Sequence, residues 1–174
     1  MFKQIIVPTD GSSHARRAVD LAADLASKYN AEILILHVLL RNISAFDLKE
    51  LCIKLESPQS LIAELDGLET TVYDSADLAC SPIFAIVPDI ILANIGDLVL
   101  EDAKKIAAAK GVTEVATASA AGDPAACILE TAEQDEADLI VMGSRGLGKL
   151  ADLLMGGVSH KVSHLSKCTC VTVK

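Results

Sequence analysis

The residues with the clearest chemical capacity are glycines. Gly143, Gly146 and Gly148 follow directly on the apolar run Asp138-Leu139-Ile140-Val141-Met142, and Gly156 and Gly157 stand just before a segment with helical periodicity. A main chain free of Cβ atoms can approach an anion closely and turn several N–H groups toward it. A helix N-terminus adds about half a positive charge. Two such clusters, one leaving a strand and one opening a helix, are suited to bracket a polyphosphate. A glycine loop on its own is weak evidence, because turns alone account for many such patterns. A second strand end strengthens it. Gln4-Ile5-Ile6-Val7 ends at Pro8-Thr9-Asp10-Gly11-Ser12, again a strand followed by a turn cluster and a helix. In open α/β sheets ligands bind at the carboxyl ends of strands, where the strand order reverses. If these two strands are neighbours, Asp10 and Gly143 face one crevice.

The remaining elements are those needed to hold these loops. Ala15, Ala18, Val19, Ala22, Leu25 and Ala26 recur at helical spacing behind a Ser12 or Ser13 cap, and Asn30 closes that helix. Residues 33–40 read as a second buried strand, with His37 packed and hydrogen-bonded inside it. Residues 41 to about 80 are less regular. Phe46, Leu48, Leu51, Cys52 and Leu55 form a helical stripe, Leu61, Ile62 and Leu65 suggest a short helix, and Asp66-Gly67 reads as a turn. These apolar residues, with Ile53, are too many for a free loop. They pack locally on the sheet edge, or form a lid or a second oligomer contact. A helix restarts near Pro82 or Pro88 and stops at Gly111. A strand from Val112 to Ser119, a helix capped by Asp123 with Pro124 at its first position, the strand ending at Met142, a helix over residues 157 to about 166 and a last strand from Cys168 to Val173 complete the chain. Strands alternating with helices predict an open, mostly parallel sheet with helices on both faces. No internal repeat or linker appears, so the expectation is one domain with an insertion at about 41–80.

Composition narrows the partners. The chain has 174 residues, 51% of them apolar, which suffices for one buried core. With 3% aromatic residues and no Trp, it lacks the rings of a single-strand nucleic-acid platform. A net charge of −9 disfavours nucleic acid and anionic membrane surfaces. Pro82, Pro88 and Asp89 interrupt the apolar stretch 78–96, so no membrane span is expected. The start, MFKQIIVPTD, has no signal-peptide pattern, and five cysteines without a CxxC fit a reduced, cytoplasmic protein. His160, His164 and Cys168 are spaced for a metal along one helix, but Cys168 begins a strand, so no metal site is expected. Cys168 and Cys170 point to one face of that strand as structural thiols.

Three segments, IIVPTDGSSHARRAV, LILHV and DLIVMGSRGLGKLADLLMGGVSHKV, resemble the universal stress protein family across nearly the whole chain except residues 41 to about 80. The family's nucleotide motif is G-x2-G-x9-G followed by Ser or Thr, and Gly143, Gly146 and Gly156 match its spacing. The resemblance implies a five-stranded parallel sheet of order 3-2-1-4-5, Rossmann-like, and a site for ATP, ADP or AMP, with Mg²⁺ or Mn²⁺ held mostly by water and phosphate. It places Pro8, Thr9 and Asp10 beside adenine and ribose, Val38 at the adenine, and Met142 in the base and sugar pocket. Gly143, Arg145, Gly146 and Gly148 line the phosphates, followed by Gly156, Gly157, Val158 and Ser159. Lys149 reads as a solvated loop charge. Gly157 departs from the motif: a phosphate keeps a main-chain N–H there and loses a hydroxyl donor, for which Ser159 partly compensates. The resemblance further implies a homodimer through the last strand, where Thr169 replaces the usual proline.

The expected function is a nucleotide-binding regulatory switch in stress response. No residue is placed by type to activate water, so any ATP hydrolysis is slow. The alternative is a dimeric interaction module of the same fold that binds no nucleotide. Adenylyl transfer lacks the HIGH- or SGGxDS-like signature it requires.

Overall fold

The structure, a computed structural model, describes residues 2–41, 43–73, 87–112, 114–148 and 155–174, with the side chains of its third helix described through Leu68. Its strands are β1 (Gln4–Pro8), β2 (Glu32–Val38), β3 (Val115–Ala120), β4 (Leu139–Gly143) and β5 (Thr169–Val173). Its helices are α1 (Ser13–Tyr29), α2 (Ala45–Lys54), α3 (Gln59–Tyr73), α4 (Asp89–Ala109), α5 (Pro124–Gln134) and α6 (Gly157–Leu165). The sheet has five strands in the order β3-β2-β1-β4-β5, as expected, and every described pairing is parallel.

The strands are continuous apolar runs because both sheet faces are covered. Ile5, Ile6 and Val7 of the central strand are wholly buried. Alternate residues feed opposite cores. Ile5, Val7, Ile33, Ile35, Leu139 and Val141 pack on α1 and the C-terminal half of α4. Ile6, Leu34, Leu36, Ile140 and Met142 pack on α5 and α6. The alanine face of α1 (Ala15, Ala18, Ala22, Ala23, Ala26) is buried, which lets that helix lie close to the strands. Asp138 joins the strand starts: its carboxylate accepts from the Lys3 N–H at 2.7 Å and the Gln4 N–H at 3.1 Å, which holds it below the usual carboxylate range.

Helix ends follow the sequence signals. Ser12 caps α1 through its hydroxyl, which accepts from Ala15 N–H, and Asp123 caps α5 by accepting from Ala126 N–H, with Pro124 at the first position. Asn30 ends α1 in the left-handed region at φ 53°.

The segment after β2 departs from expectation. Asp66 and Gly67 lie inside α3 and make no turn. Burial of Leu61 and Leu65 against α2 and α4 outweighs the local preference of Asp-Gly. Phe46, assigned to the apolar stripe, is 53% exposed, whereas Leu48, Leu51 and Cys52 are buried. These residues form a third core with Ile91, Leu92, Ile95 and Val99 of α4. It packs on Leu39, Leu40 and Ile43 beyond β2 and on Leu147 beyond β4, at the strand ends and not along a sheet edge. α4 therefore serves two cores, the insert with its first half and the sheet with its second. The strand β2 stops at Val38, β3 starts at Val115, and Cys168 stands one residue ahead of β5. Cys168 and Cys170 nonetheless pack, half-buried, on the same core. Cys80, Pro82 and Lys149 lie outside the described residues. Among the described residues no helix is long and apolar enough to cross a membrane.

Where α4 crosses β2, Gly96 lies flat on the imidazole of His37. A Cβ added at Gly96 falls 2.8 Å from His37 Cδ2, inside any normal contact. Replacing a mid-helix glycine by alanine ordinarily gains about 1 kcal/mol. Here overpacking against a fully buried ring reverses the sign, and Gly96→Ala is expected to lose about 1–3 kcal/mol, measured as a lowered urea midpoint at unchanged slope.

Candidate functional site

The site grows from the pairing of β1 with β4. Ile5 stands opposite Leu139 and Ile6 opposite Ile140, so the two strands deliver their following loops to the same end of the sheet. There the loops are tied together. Asp10 Oδ2 accepts from the Leu147 N–H at 2.9 Å, while Oδ1 accepts from the Ser12 N–H at 3.0 Å in an Asx turn. The Ser12 hydroxyl reaches the Arg145 carbonyl at 3.5 Å. Gly146 must be glycine for this arrangement, because a Cβ there would run into Asp10 Oδ2. Gly143 must be glycine for another reason. Its missing Cβ leaves room for the first turn of α1, whose Ala15 N and His14 C lie 2.8 and 2.9 Å from that position.

The second glycine cluster closes the other side. The Gly156 N–H donates to the Ser144 carbonyl at 2.8 Å, which draws the start of α6 against the loop from β4. Gly156 is the N-cap of α6 and has no side chain to satisfy the helix's first N–H groups. The N–H groups of Gly157, Val158 and Ser159 therefore lack carbonyl partners within the helix. Ser159 is buried, and its hydroxyl lies 2.8 Å from the Ser144 carbonyl and 2.9 Å from the Gly156 carbonyl. That hydroxyl has one proton, which is directed at those carbonyls. It cannot replace the donor missing at Gly157, contrary to the sequence expectation. Ser159 contributes instead as a clasp between loop and helix.

These elements enclose a cleft of about 460 Å³. All the residues singled out from the sequence line it: Pro8, Thr9, Asp10, Val38, Met142, Gly143, Arg145, Gly146, Gly148, Gly156, Gly157, Val158 and Ser159. Sequence reasoning missed the rest of the wall. Gly122, Asp123 and Pro124 follow β3, and the rule that pointed to Asp10, a turn at the carboxyl end of a strand, applied to them equally. Leu39, Leu40, Arg41 and Ile43 enter from the segment after β2, and Arg41 pairs with Asp89 at the start of α4 at 2.7 Å. Leu147 faces two ways: its N–H holds Asp10 and its side chain packs on the insert core. A leucine between two glycines was the available signal for such an anchor.

Charge at the cleft is mixed. His14, in the first turn of α1, is held below the usual histidine range by burial, then by Arg17 and Arg145, against the opposite pull of Asp10. It is neutral at neutral pH, so the positive contribution comes from Arg145, Arg41 and main-chain N–H groups. Asp123 is engaged by the Ala126 N–H and by Lys161 of α6 at 3.0 Å, which tie α5 to α6 beside the cleft. His160 and His164 stack with ring centroids 6.4 Å apart.

An open parallel sheet wound on both faces, with a glycine-lined cleft where the strand order reverses, defines a Rossmann-like α/β protein. Residues 1–174 match the universal stress protein family, and the chain belongs to that family. It is 33% identical over 181 residues to the universal stress protein YxiE of Bacillus subtilis, covering 100% of both chains. Among solved structures, it is similar to the universal stress protein UspA from Lactobacillus plantarum, with a TM-score of 0.66 and 20% identity over 99% of this chain and 98% of that one. It is also similar to a universal stress protein solved in complex with cAMP, with a TM-score of 0.59 and 23% identity over 99% and 96% of the two chains.

The glycines differ sharply in what they tolerate. Gly143→Ala places a methyl against fixed backbone on two sides and is expected to cost about 3 kcal/mol. Gly148→Ala meets nothing within 4 Å and should stay within about 0.5 kcal/mol of wild type. Chemical denaturation of the two variants side by side measures the contrast; equal costs would contradict the packing described.

Proposed function

We propose that this chain is a nucleotide-responsive regulatory protein that holds an adenine nucleotide, ATP, ADP or AMP, in the cleft between the β1 and β4 loops. The observation carrying this reading is that Asp10, Gly146 and the uncapped start of α6 border one cleft. Apolar groups at one end, Val38, Met142 and Ile128, suit a base. The glycine main chain and the N–H groups of Gly157, Val158 and Ser159 suit phosphate. Pro8, Thr9 and Asp10 line the same cleft and suit ribose. Arg145 adds charge at the phosphate end. That a relative of the same fold was solved with cAMP supports the choice of adenine.

A Mg²⁺ or Mn²⁺ ion accompanying a triphosphate would take its oxygen ligands from phosphate and water. Among the described residues no group of three or more His, Cys, Asp or Glu is placed to hold a metal. Both Asp10 oxygens accept from main-chain N–H groups, so the carboxylate serves architecture and ligand orientation, and any ATP hydrolysis is slow. We further read the chain as a single cytoplasmic domain with its insert between β2 and α4, forming a homodimer through β5. The support for the dimer is that β5 is an edge strand.

A second reading keeps the fold and drops the ligand: a dimeric interaction module. It is favoured by the lack of a hydroxyl at Gly157 and by the engagement of the Ser159 hydroxyl with the Ser144 and Gly156 carbonyls. Mass spectrometry of the denatured, freshly purified protein separates the two, since carried-over adenine nucleotide appears only under the first.

Isothermal titration of nucleotide-stripped protein with AMP and with MgATP is the direct test. Heats no different from dilution at millimolar ligand remove the first reading. Gly146→Val is expected to abolish binding. At residue 157 an added Cβ meets nothing within 4 Å, so Gly157→Ser should fit and restore a donor. One neutral hydrogen bond predicts roughly a fivefold gain in affinity for the triphosphate.

A further inference from the structure

His37 is the one fully buried member among the described residues' buried histidine, serine and threonine side chains, and none of the loop contacts above explains it. It sits next to the end of β2, and its Nδ1 is 3.0 Å from the Thr9 carbonyl. A carbonyl only accepts, so Nδ1 carries the proton and Nε2 is the bare nitrogen. Nε2 is buried without a hydrogen-bond partner. The wall beside it is Gly96 of α4, whose absent Cβ would lie 3.2 Å from Nε2. Thr9 is thus held twice by β2: its N–H donates to the Leu36 carbonyl at 2.9 Å, and its carbonyl accepts from His37. That carbonyl belongs to the peptide linking Thr9 to Asp10. Fixing its plane sets the direction in which Asp10 leaves the strand, and Asp10 carries the bond to Leu147.

We propose that His37 is a positioning residue of the cleft: as a neutral imidazole it orients the Thr9–Asp10 peptide, and its protonation loosens the tie between the β1 and β4 loops and so weakens ligand binding. The effect on ligand rests on the nucleotide reading above; the effect on the loops does not. Protonation leaves the Nδ1–H donor to Thr9 in place; the loosening comes from the other nitrogen, where a second proton would face Gly96 with no acceptor, so that relieving it shifts the ring and the Thr9 carbonyl with it. Burial is the main cause that holds His37 below the usual histidine range. The Thr9 carbonyl and the carboxylates of Asp10, on the β1 side, and Asp97, on α4, pull the other way and are outweighed. The sign follows. Below about pH 6.5 the unfolded chain takes up a proton that the folded chain refuses. The stability contributed by neutral His37 is present above that pH and is lost as pH falls through the lowered folded value.

The test compares wild type with His37→Asn and His37→Leu, using AMP as the probe, from about pH 7.5 down to about pH 4.5, a window that reaches well below the ordinary histidine value. Asparagine keeps a side-chain N–H near the Nδ1 position and cannot be protonated in this range; leucine fills space without a donor. Wild-type affinity should fall with pH more steeply than that of His37→Asn, whose remaining slope reports the phosphate and other groups. His37→Leu should bind about fivefold more weakly at neutral pH, the loss of one hydrogen bond. Superimposable pH profiles for wild type and His37→Asn overturn the proposal. Long-range ¹⁵N–¹H spectra of the wild-type ring, free of any variant, should show the Nδ1–H tautomer at neutral pH. An Nε2–H tautomer or a charged ring there overturns it as well. If wild type binds no AMP even at neutral pH, the nucleotide reading is what fails. The positional role is then decided by the amide resonances of Asp10, Gly146 and Leu147, which must shift with pH in wild type and not in His37→Asn.

Discussion

The hydrogen bond from the Leu147 N–H to the Asp10 carboxylate joins residues 137 positions apart and ties together the two loops that border the cleft. A charged acceptor makes it stronger than a neutral pair. Its geometry demands that the main chain at Gly146 pass directly under the carboxylate, where no side chain fits. Both loops have already lost their freedom to the paired strands β1 and β4, so little entropy remains to oppose the contact. The same carboxylate closes an Asx turn at the start of α1. One side chain thereby fixes a strand end, a helix start and the glycine loop opposite.

Everything around the latch supports close approach of backbones. The alanine face of α1 brings its first turn onto Gly143, and the Ser159 clasp draws α6 onto Ser144. The result concentrates two helix starts at one end of a buried sheet. In a chain with a net charge of −9 this local arrangement of N–H groups supplies the positive potential that the surface as a whole lacks.

The sheet was legible in the sequence because a central parallel strand must be apolar on both faces, and Gln4-Ile5-Ile6-Val7 and Leu139-Ile140-Val141-Met142 satisfy that in only a few residues. Caps at Ser12 and Asp123 marked helix starts by an equally local rule. The glycine spacing pointed to the loops because only glycine meets their steric demand. What escaped was set by distant contacts. Asp66-Gly67 carries a turn signal that burial of Leu61 and Leu65 overrides. The inward aim of the Ser159 hydroxyl depends on a carbonyl 15 residues away. The contribution of Leu39, Leu40 and Ile43 to the cleft wall required knowing that the insert packs over the strand ends.

The seating of Leu147 in the insert core has a mechanical corollary. An outward swing of the glycine loop must pull a leucine from an oily socket built by Leu48, Leu51 and Val99 and their neighbours. Gly11 is locked into the same socket, with Leu51 and Val99 against it. Any outward movement of that loop is therefore coupled to the packing of α2, α3 and α4 around this one side chain.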